Sequence, residues 1–289
     1  MQSSRRAFLF GRRLPRTPWD MFRQRLARAA HGPLEELDAA PPGRARLRPA
    51  RPEDVRHARA LCVEYGVALV LAGTDASGAP AGRAVLEVDP SALTELAPGP
   101  RAGQWRAQPG CRAADLAAAG LPQFAQAPPA QTLAGWLAGA GAWPPGGTAA
   151  SGLVGIDLLL SDGTAETLGP FGQDDVQPLR SAAVQRLVPA LFQLAGSADA
   201  AACRAHAAWP CRYRLDALAP EPPAGVNLAQ LLLGHGGTLA WVEGALLAPG
   251  QAAGAVAAAP APPPGVAAAA HRLAMRVQDA FDPQGLYAP

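Results

Sequence analysis

Residues 67–78, VALVLAGTDASG, constrain the fold more than any other stretch of this sequence. A short run of branched and apolar residues passes directly into a loop of Gly, Thr and Ser, and a helical segment that ends at Gly66 precedes the run. This pattern predicts a buried strand followed by a loop. A loop of small residues lets backbone N–H groups approach the oxygens of a ligand, usually phosphate, although ordinary turns have the same composition.

The composition excludes two kinds of chemistry. Ala, Pro and Gly dominate the 289 residues, and Lys is absent. Without Lys the chain has neither a Schiff-base lysine nor a Walker-type phosphate loop. The length permits one large domain or two modest ones with a substantial core, and no apolar run is long enough to predict a membrane span.

Arginine is concentrated near the N-terminus. Residues 1–59 hold 14 Arg and 6 acidic residues, whereas residues 60–289 hold 11 Arg and 17 acidic residues. A basic end of this kind can contact nucleic acid or an anionic surface, or it can be a solvated arm. The sequence has no basic motif with interleaved aromatic residues, so we expect no nucleic-acid partner.

The four cysteines predict no metal site. Cys62, Cys111, Cys203 and Cys211 form no CxxC pair and have no zinc-like spacing with His, so no metal is expected. The pattern is typical of reduced, partly buried thiols in a cytoplasmic protein, with a Cys203–Cys211 disulfide as the alternative.

The first residues resemble an export signal only in part. The segment Ser4-Arg5-Arg6-Ala7-Phe8-Leu9 is similar to the twin-arginine motif, but a charged segment at 11–16 replaces the apolar stretch that such a signal needs. We therefore expect a cytoplasmic protein, with export or membrane association through this segment as the alternative. A helix is predicted to start after Thr17, which suits the N-cap position and is followed by Pro.

The rest of the chain is predicted to mix helices and strands. Asp-Gly at 162–163, between two β-like runs, is a hairpin signal. Residues 38–50, rich in Pro and Arg, are predicted to be a linker, and residues 250–265 a flexible connector. The predicted elements are helices at 52–65, 113–119, 184–194 and 266–281, and strands at the start of 67–78 and at 84–88, 104–107, 153–160 and 164–168.

Several short motifs follow one another in a recognisable order. They are the loop Leu71–Gly78, Pro109-Gly110 with Asp115-Leu116, the segment Thr132–Ala138, Gly155-Ile156 with Asp162-Gly163, and the ending Phe281–Tyr287. The ordered set resembles the FAD-binding domain of the vanillyl-alcohol-oxidase (PCMH-type) flavoproteins, and in particular the FAD-binding subunits of bacterial glycolate oxidase. The resemblance covers most of residues 46–170 and the last fifteen residues.

This resemblance implies an α+β fold, with a two-lobed PCMH-type FAD-binding domain and a reduced C-terminal cap domain. It implies a basic arm and helix at 1–43, the FAD-binding domain at 44–172 and the reduced cap at 173–265. A C-terminal helix and tail at 266–289 return to the FAD domain, the helix to its first lobe. The resemblance further implies FAD as cofactor, a 2-hydroxy acid such as glycolate or lactate as substrate, and a protein partner subunit.

The resemblance also implies which residues contact FAD. The loop would hold the diphosphate through backbone N–H groups, and the segment at 132–138 and the strand after it would close on the diphosphate and adenosine. No catalytic residue is implied. The predicted cofactor-binding residues are Ala72, Gly73, Thr74, Asp75, Ala76, Ser77, Gly78, Thr132, Leu133, Ala134, Gly135, Ala138 and Ile156.

Four departures from the family pattern favour a different function. Leu71, Asp75 and Ala134 stand where the pattern has Gly, and Trp143–Gly147 replaces a segment that carries Arg and Tyr. A carboxylate at Asp75 would repel a diphosphate at short range. The alternative function is therefore a cofactor-free assembly or regulatory subunit that retains the scaffold of the FAD domain.

Residues 231–239, LLLGHGGTL, permit two interpretations. They resemble either the flavin-proximal segment of these proteins or a strand in the cap of the glycolate oxidase subunit. The short distance to the C-terminus favours the cap. In that case His235 is an exposed or core histidine, and a catalytic base is the alternative.

Overall fold

A computed structural model describes residues 17–74, 82–139, 141, 143–172, 178–252 and 261–287. Helices and two separate β-sheets make up these residues, so the predicted α+β class is confirmed. Two hydrophobic cores accompany the two sheets, one in each lobe.

The first lobe begins with a capped helix, α1 (Pro18–Ala29). Thr17 Oγ1 accepts a hydrogen bond from Asp20 N, and the Asp20 carboxylate accepts one from Thr17 N, which forms a capping box. Phe22 and Leu26 are buried and lie in the first core. The predicted helix start at Thr17 is confirmed.

The first sheet has the order β1-β2-β4-β3, with β1 (Leu34–Asp38), β2 (Arg44–Leu47), β3 (Ala68–Leu71) and β4 (Val85–Val88). Strand β4 runs parallel to β2 and β3, and β1 runs antiparallel to β2. Helix α2 (Pro52–Tyr65) connects β2 to β3 and ends at Gly66, which has a φ of +67°. The predicted strands at the start of 67–78 and at 84–88 are confirmed, but the expected linker at 38–50 contains β2.

The second sheet is antiparallel and has the order β5-β6-β9-β7-β8. Its strands are β5 (Leu96–Pro98), β6 (Trp105–Ala107), β7 (Leu153–Leu159), β8 (Ala165–Leu168) and β9 (Trp241–Leu247). The predicted hairpin is confirmed as β7–β8. The central strand is β9, although the range 173–265, to which it belongs, was predicted to form a reduced cap. The other predicted domain bounds stay a prediction.

Five helices complete the described residues of this lobe: α3 (Ala113–Ala118), α4 (Leu133–Ala138), α5 (Ala182–Ala195), α6 (Ala198–Arg204) and α7 (Pro264–Phe281). Helix α7 buries Leu273, Val277 and Phe281 in the second core, beside α5 and α6. The expectation that this helix returns to the first lobe is therefore wrong. Only the tail after it does so, because Leu69 N donates to Leu286 O at 2.9 Å and Leu69 pairs with Tyr287.

Candidate functional site

The predicted diphosphate loop begins directly at the end of β3. Ala72 N donates to Val88 O at 2.9 Å, and Thr74 donates to Leu71 O through its backbone N at 3.2 Å and through Oγ1 at 2.6 Å. The Ala72 donor is therefore used by the neighbouring strand β4, and the Thr74 donors are used within the turn. Asp75, Ala76, Ser77 and Gly78 lie outside the described residues, so their predicted contact with a diphosphate stays a prediction.

The second predicted segment forms the start of α4. Thr132 Oγ1 accepts from Gly135 N at 3.1 Å, while Leu133 N donates to Cys111 O and Ala134 N to Pro109 O. The first N–H groups of this helix are thus bonded inside the protein, not turned toward an open site. The Leu133, Ala134 and Ala138 side chains are buried.

A third segment, which the sequence analysis left ambiguous, connects these two. Gly234 N donates to Leu137 O at 2.7 Å and Gly236 N donates to Ala138 O at 3.0 Å, so the loop at 234–237 lies on the end of α4. A Cβ added to Gly237 would stand 3.0 Å from Leu71 Cβ. The loop therefore contacts the end of β3 as well.

These three segments surround a small crevice between the two lobes. It measures about 10 Å³, close to the space that one water molecule occupies. Aromatic side chains from β9 and the C-terminal tail complete its wall. No role in a site was predicted for either segment. For the tail, the motif Phe281–Tyr287 was the sequence feature that could have indicated one. The crevice residues are Leu69, Leu71, Ala134, His235, Gly237, Ala240, Trp241, Val242 and Tyr287.

The predicted site residues are only partly brought together. Ala134 lines the crevice, and Ala72 and Gly73 follow the crevice residue Leu71 in the chain. Ile156 lies in β7, where it pairs with Leu168 and Ala245 and packs in the second core. The structure does not place Ile156 among the other predicted contacts.

His235 is a buried, neutral side chain in this crevice. Burial, together with the nearby Arg212 guanidinium, lowers the pKa of His235 to about 3. Its Nδ1 accepts a hydrogen bond from Gly237 N at 3.2 Å. Within the described part of the chain, His235 Nε2 and Trp241 Nε1 are both buried without a hydrogen-bond partner. Because Nδ1 of the neutral ring accepts, Nε2 carries the proton, so both unpartnered atoms are donors. Both residues line the same small cavity, and a single water oxygen can accept from the two.

The crevice does not accommodate a flavin or an adenine ring in this conformation. Pockets that bind ligands of this size usually measure about 300–1,000 Å³, far above the volume found here. Leu71 accounts for part of the difference, because its side chain occupies the space beside Gly237. FAD would enter between these segments only after the loop at 234–237 had separated from Leu71.

The described residues hold neither a cluster of metal-ligating side chains nor a membrane-spanning helix. No group of three or more His, Cys, Asp or Glu side chains within them is placed to hold a metal ion. No helix among them is long and apolar enough to cross a membrane.

The four cysteines are free and buried, and burial raises the pKa of Cys111 to about 11 and that of Cys211 to about 12.

Comparisons with known proteins were made for sequence families and for solved structures. No family model and no curated protein matches the sequence. Among solved structures, the chain is similar to an FAD-containing glucooligosaccharide oxidase from Acremonium strictum, with a TM-score of 0.46 and 15% identity over 80% of this chain and 42% of that one. A carbohydrate oxidase from Microdochium nivale gives a TM-score of 0.44 and 14% identity over 78% and 42%. A 4-ethylphenol oxidase from Gulosibacter chungangensis gives 0.40 and 11% over 58% and 40%. The chain thus spans about two fifths of the length of these proteins.

Proposed function

We propose that this chain is a PCMH-type FAD-binding oxidoreductase subunit that acts on a 2-hydroxy acid such as glycolate or lactate. One observation carries the proposal: the end of β3, helix α4 and the loop at 234–237 are far apart in sequence, yet they meet at one crevice between two sheets. The first two segments belong to the ordered set of motifs of the family that the sequence resembles. Residues 231–239 resemble either its flavin-proximal segment or a strand in the cap of the glycolate oxidase subunit.

Binding of FAD requires the crevice to open. The loop at 234–237 is attached by two backbone hydrogen bonds to α4 and by the contact of Gly237 with Leu71. When bound, FAD would supply the hydride acceptor for oxidation of the substrate. The proposed contacts are those at 72–78, 132–135 and 138; Ile156, which packs in the second core, is not among them, and no catalytic base is assigned.

A second function is favoured by the closed crevice itself. A cavity of about 10 Å³ and internally bonded N–H groups are what a scaffold without cofactor would show. The alternative is therefore an assembly or regulatory subunit that retains the FAD-domain scaffold and acts through a partner subunit. A cytoplasmic location stays a prediction for either function.

Flavin content separates the two functions. FAD is titrated into the purified full-length protein, and flavin fluorescence and visible absorbance are followed for wild type, Asp75→Gly and the double variant Leu71→Gly/Asp75→Gly. The FAD proposal predicts binding by wild type, and tighter binding once the Asp75 carboxylate is removed and once Leu71 no longer fills the crevice. Glycolate or lactate should then bleach the flavin absorbance.

The double variant needs a stability control. Removal of the Leu71 side chain should cost roughly 2–4 kcal/mol, as for other large-to-small core changes. Leu47→Gly removes a comparably buried side chain from the same core, on β2 and separated from β3 by β4, and should leave FAD affinity unchanged. A colourless wild type and no FAD uptake by any variant would establish the cofactor-free function instead, for which activation of a co-purified catalytic subunit is the direct measurement.

A further inference from the structure

The second sheet has one face on the helices and one face that carries a groove. Ala107, Leu158 and Leu247 point into the second core, whereas Arg106 and Leu246 belong to the opposite face. The groove on that face measures about 380 Å³. We call it the sheet groove; it is lined by Arg101, Gln104, Arg106, Val154, Asp157, Glu166, Thr167, Arg180 and Leu246, together with neighbouring backbone.

The arginines of the sheet groove differ from most arginines elsewhere. Arg56 makes a bidentate pair with Glu243, and Arg214 makes one with Asp216. In the described ranges, by contrast, the guanidinium groups of Arg101, Arg106 and Arg180 have neither an ion pair nor a hydrogen bond. They are available to a ligand.

The two acids of the groove are already engaged. Asp157 Oδ1 accepts from Thr167 Oγ1 at 2.5 Å. Glu166 Oε2 accepts from the backbone N of Arg180 at 3.0 Å and of Ser181 at 2.7 Å. Among the described residues that line the groove, three unpaired guanidinium groups stand against two bonded carboxylates, a net positive charge that favours an anionic ligand.

The spacing of the charges decides the size of that ligand. Arg106 is on β6, while Arg180 is held beside Glu166 of β8. Strands β9 and β7 lie between, so the backbones of β6 and β8 are about 14 Å apart at the usual strand spacing. A single phosphate or carboxylate is too small to reach both ends. An extended peptide covers such a distance in about four residues.

The floor of the groove suits a peptide as well. Arg106 pairs in register with Leu246, and Leu246 with Gly155, so an apolar side chain lies between the charged ends. Val154 is half-buried beside it. Gln104 also lines the floor of the groove, and its Oε1 is buried with no hydrogen-bond partner among the described residues.

We propose that the sheet groove binds an extended acidic segment of a partner protein. Carboxylates at the two ends of the segment pair with Arg101 and Arg106 on one side and with Arg180 on the other. An aliphatic residue between them packs on Val154 and Leu246. This inference holds whether or not the chain binds FAD, because the groove and the crevice share no lining residue.

Fluorescence anisotropy with a labelled peptide tests the inference on the full-length protein. The probe is Glu-Glu-Val-Leu-Glu-Glu, and the matched uncharged peptide is Gln-Gln-Val-Leu-Gln-Gln. We expect the acidic peptide alone to bind, and to bind more weakly at high salt. Arg101→Gln, Arg106→Gln and Arg180→Gln should each weaken binding roughly two- to fivefold, the range for an exposed ion pair.

Arg28→Gln is the matched control, because Arg28 is an exposed arginine on α1 outside the groove. It should leave the affinity unchanged, and thermal unfolding should show that all four variants are folded. Equal binding of the two peptides, or equal weakening by Arg28→Gln, would overturn the proposal. Displacement of the peptide by inorganic phosphate at concentrations as low as those of unlabelled peptide would also overturn it, since it would indicate a site for a small anion.

Discussion

Gly237 and Leu71 are held so close together that the first has no room for a side chain. A Cβ on Gly237 would lie 3.0 Å from Leu71 Cβ, and the residue has a φ of +77°, which side chains rarely permit. The contact joins the loop before β9 to the end of β3 and closes the crevice between the lobes. Two constraints, steric and conformational, therefore fix glycine at this position.

Gly237→Ala should lower the free energy of unfolding by about 2–3 kcal/mol. The left-handed backbone accounts for roughly 1–2 kcal/mol of this, and the close contact for the rest. Urea unfolding of Gly237→Ala, with and without Leu71→Gly, measures the two parts separately, because Leu71→Gly removes the Cβ that makes the contact and leaves the backbone conformation of residue 237 as the remaining cost. Gly225→Ala is the control, since a Cβ there would meet no atom within 4 Å. If Gly237→Ala costs as much beside Gly as beside Leu at position 71, the contact is not the cause.

His235 should make stability depend on pH between about 6.5 and 4.5. Its pKa is about 3 in the folded protein, below the ordinary value of 6.5, so the unfolded chain binds a proton in this range that the folded protein does not. Stability is therefore full above pH 6.5 and falls as the pH decreases. The loss due to His235 alone should be roughly 2–3 kcal/mol at pH 4.5.

The measurement is chemical unfolding at a series of pH values for wild type and His235→Gln. Between pH 6.5 and 4.5 the free energy of unfolding should change less with pH in His235→Gln than in wild type, whatever the stability of the variant at neutral pH. His271→Gln changes an exposed histidine of α7 and should follow wild type. Parallel profiles for wild type and His235→Gln would show that His235 takes up a proton in the folded state.

Local sequence patterns predicted much of the fold. The Thr17–Asp20 capping box, the helix ending at Gly66 and the β7–β8 hairpin depend on residues that are neighbours in the chain. Such elements are specified by short-range hydrogen bonds and by backbone conformations that only certain residues adopt. For this reason they were recognisable before any tertiary structure was known.

Long-range pairing was not predictable in the same way. Strand β9 reads as an ordinary apolar segment, and only its pairing with β6 and β7 makes it central to the second sheet. Ile156 was expected near a cofactor, but its register with Leu168 and Ala245 turns it into the second core. The closed crevice depends on three distant segments at once, and no single motif contains that information.

Tyr287→Phe should detach the C-terminal tail from the second sheet. Tyr287 is buried, and its hydroxyl donates to Leu159 O at 2.7 Å, so the tail that pairs with β3 is also bonded to β7. Loss of this hydrogen bond should cost about 1–2 kcal/mol in urea unfolding. Tyr65→Phe is the control, because the Tyr65 hydroxyl lies at an exposed contact with Arg25 and should contribute less than about 0.5 kcal/mol. Equal effects of the two changes would contradict the proposed link between the lobes.

The buried pair Arg214–Asp216 should be the most sensitive polar site of the second lobe. Its two hydrogen bonds measure 2.9 and 2.7 Å, and Arg214 also donates to the carbonyls of Trp143 and Pro144 while Asp216 accepts from Gly146 N. The pair thereby fixes the segment that departs from the family pattern. Asp216→Asn removes the negative charge and leaves the guanidinium buried and uncompensated, which should cost about 3–5 kcal/mol.

Two further variants separate the cost of a lone buried charge from other effects of Asp216→Asn. Asp199→Asn breaks the exposed pairs with Arg272 and Arg276 and should destabilise the protein far less than Asp216→Asn. The double change Arg214→Met/Asp216→Leu removes both buried charges, so it should be less destabilising than Asp216→Asn alone. Thermal and urea unfolding of the three variants give the answer. If the double change is the most destabilising, the pair contributes net stability through its hydrogen bonds to residues 143–146, and the cost of a lone buried charge is not the dominant effect.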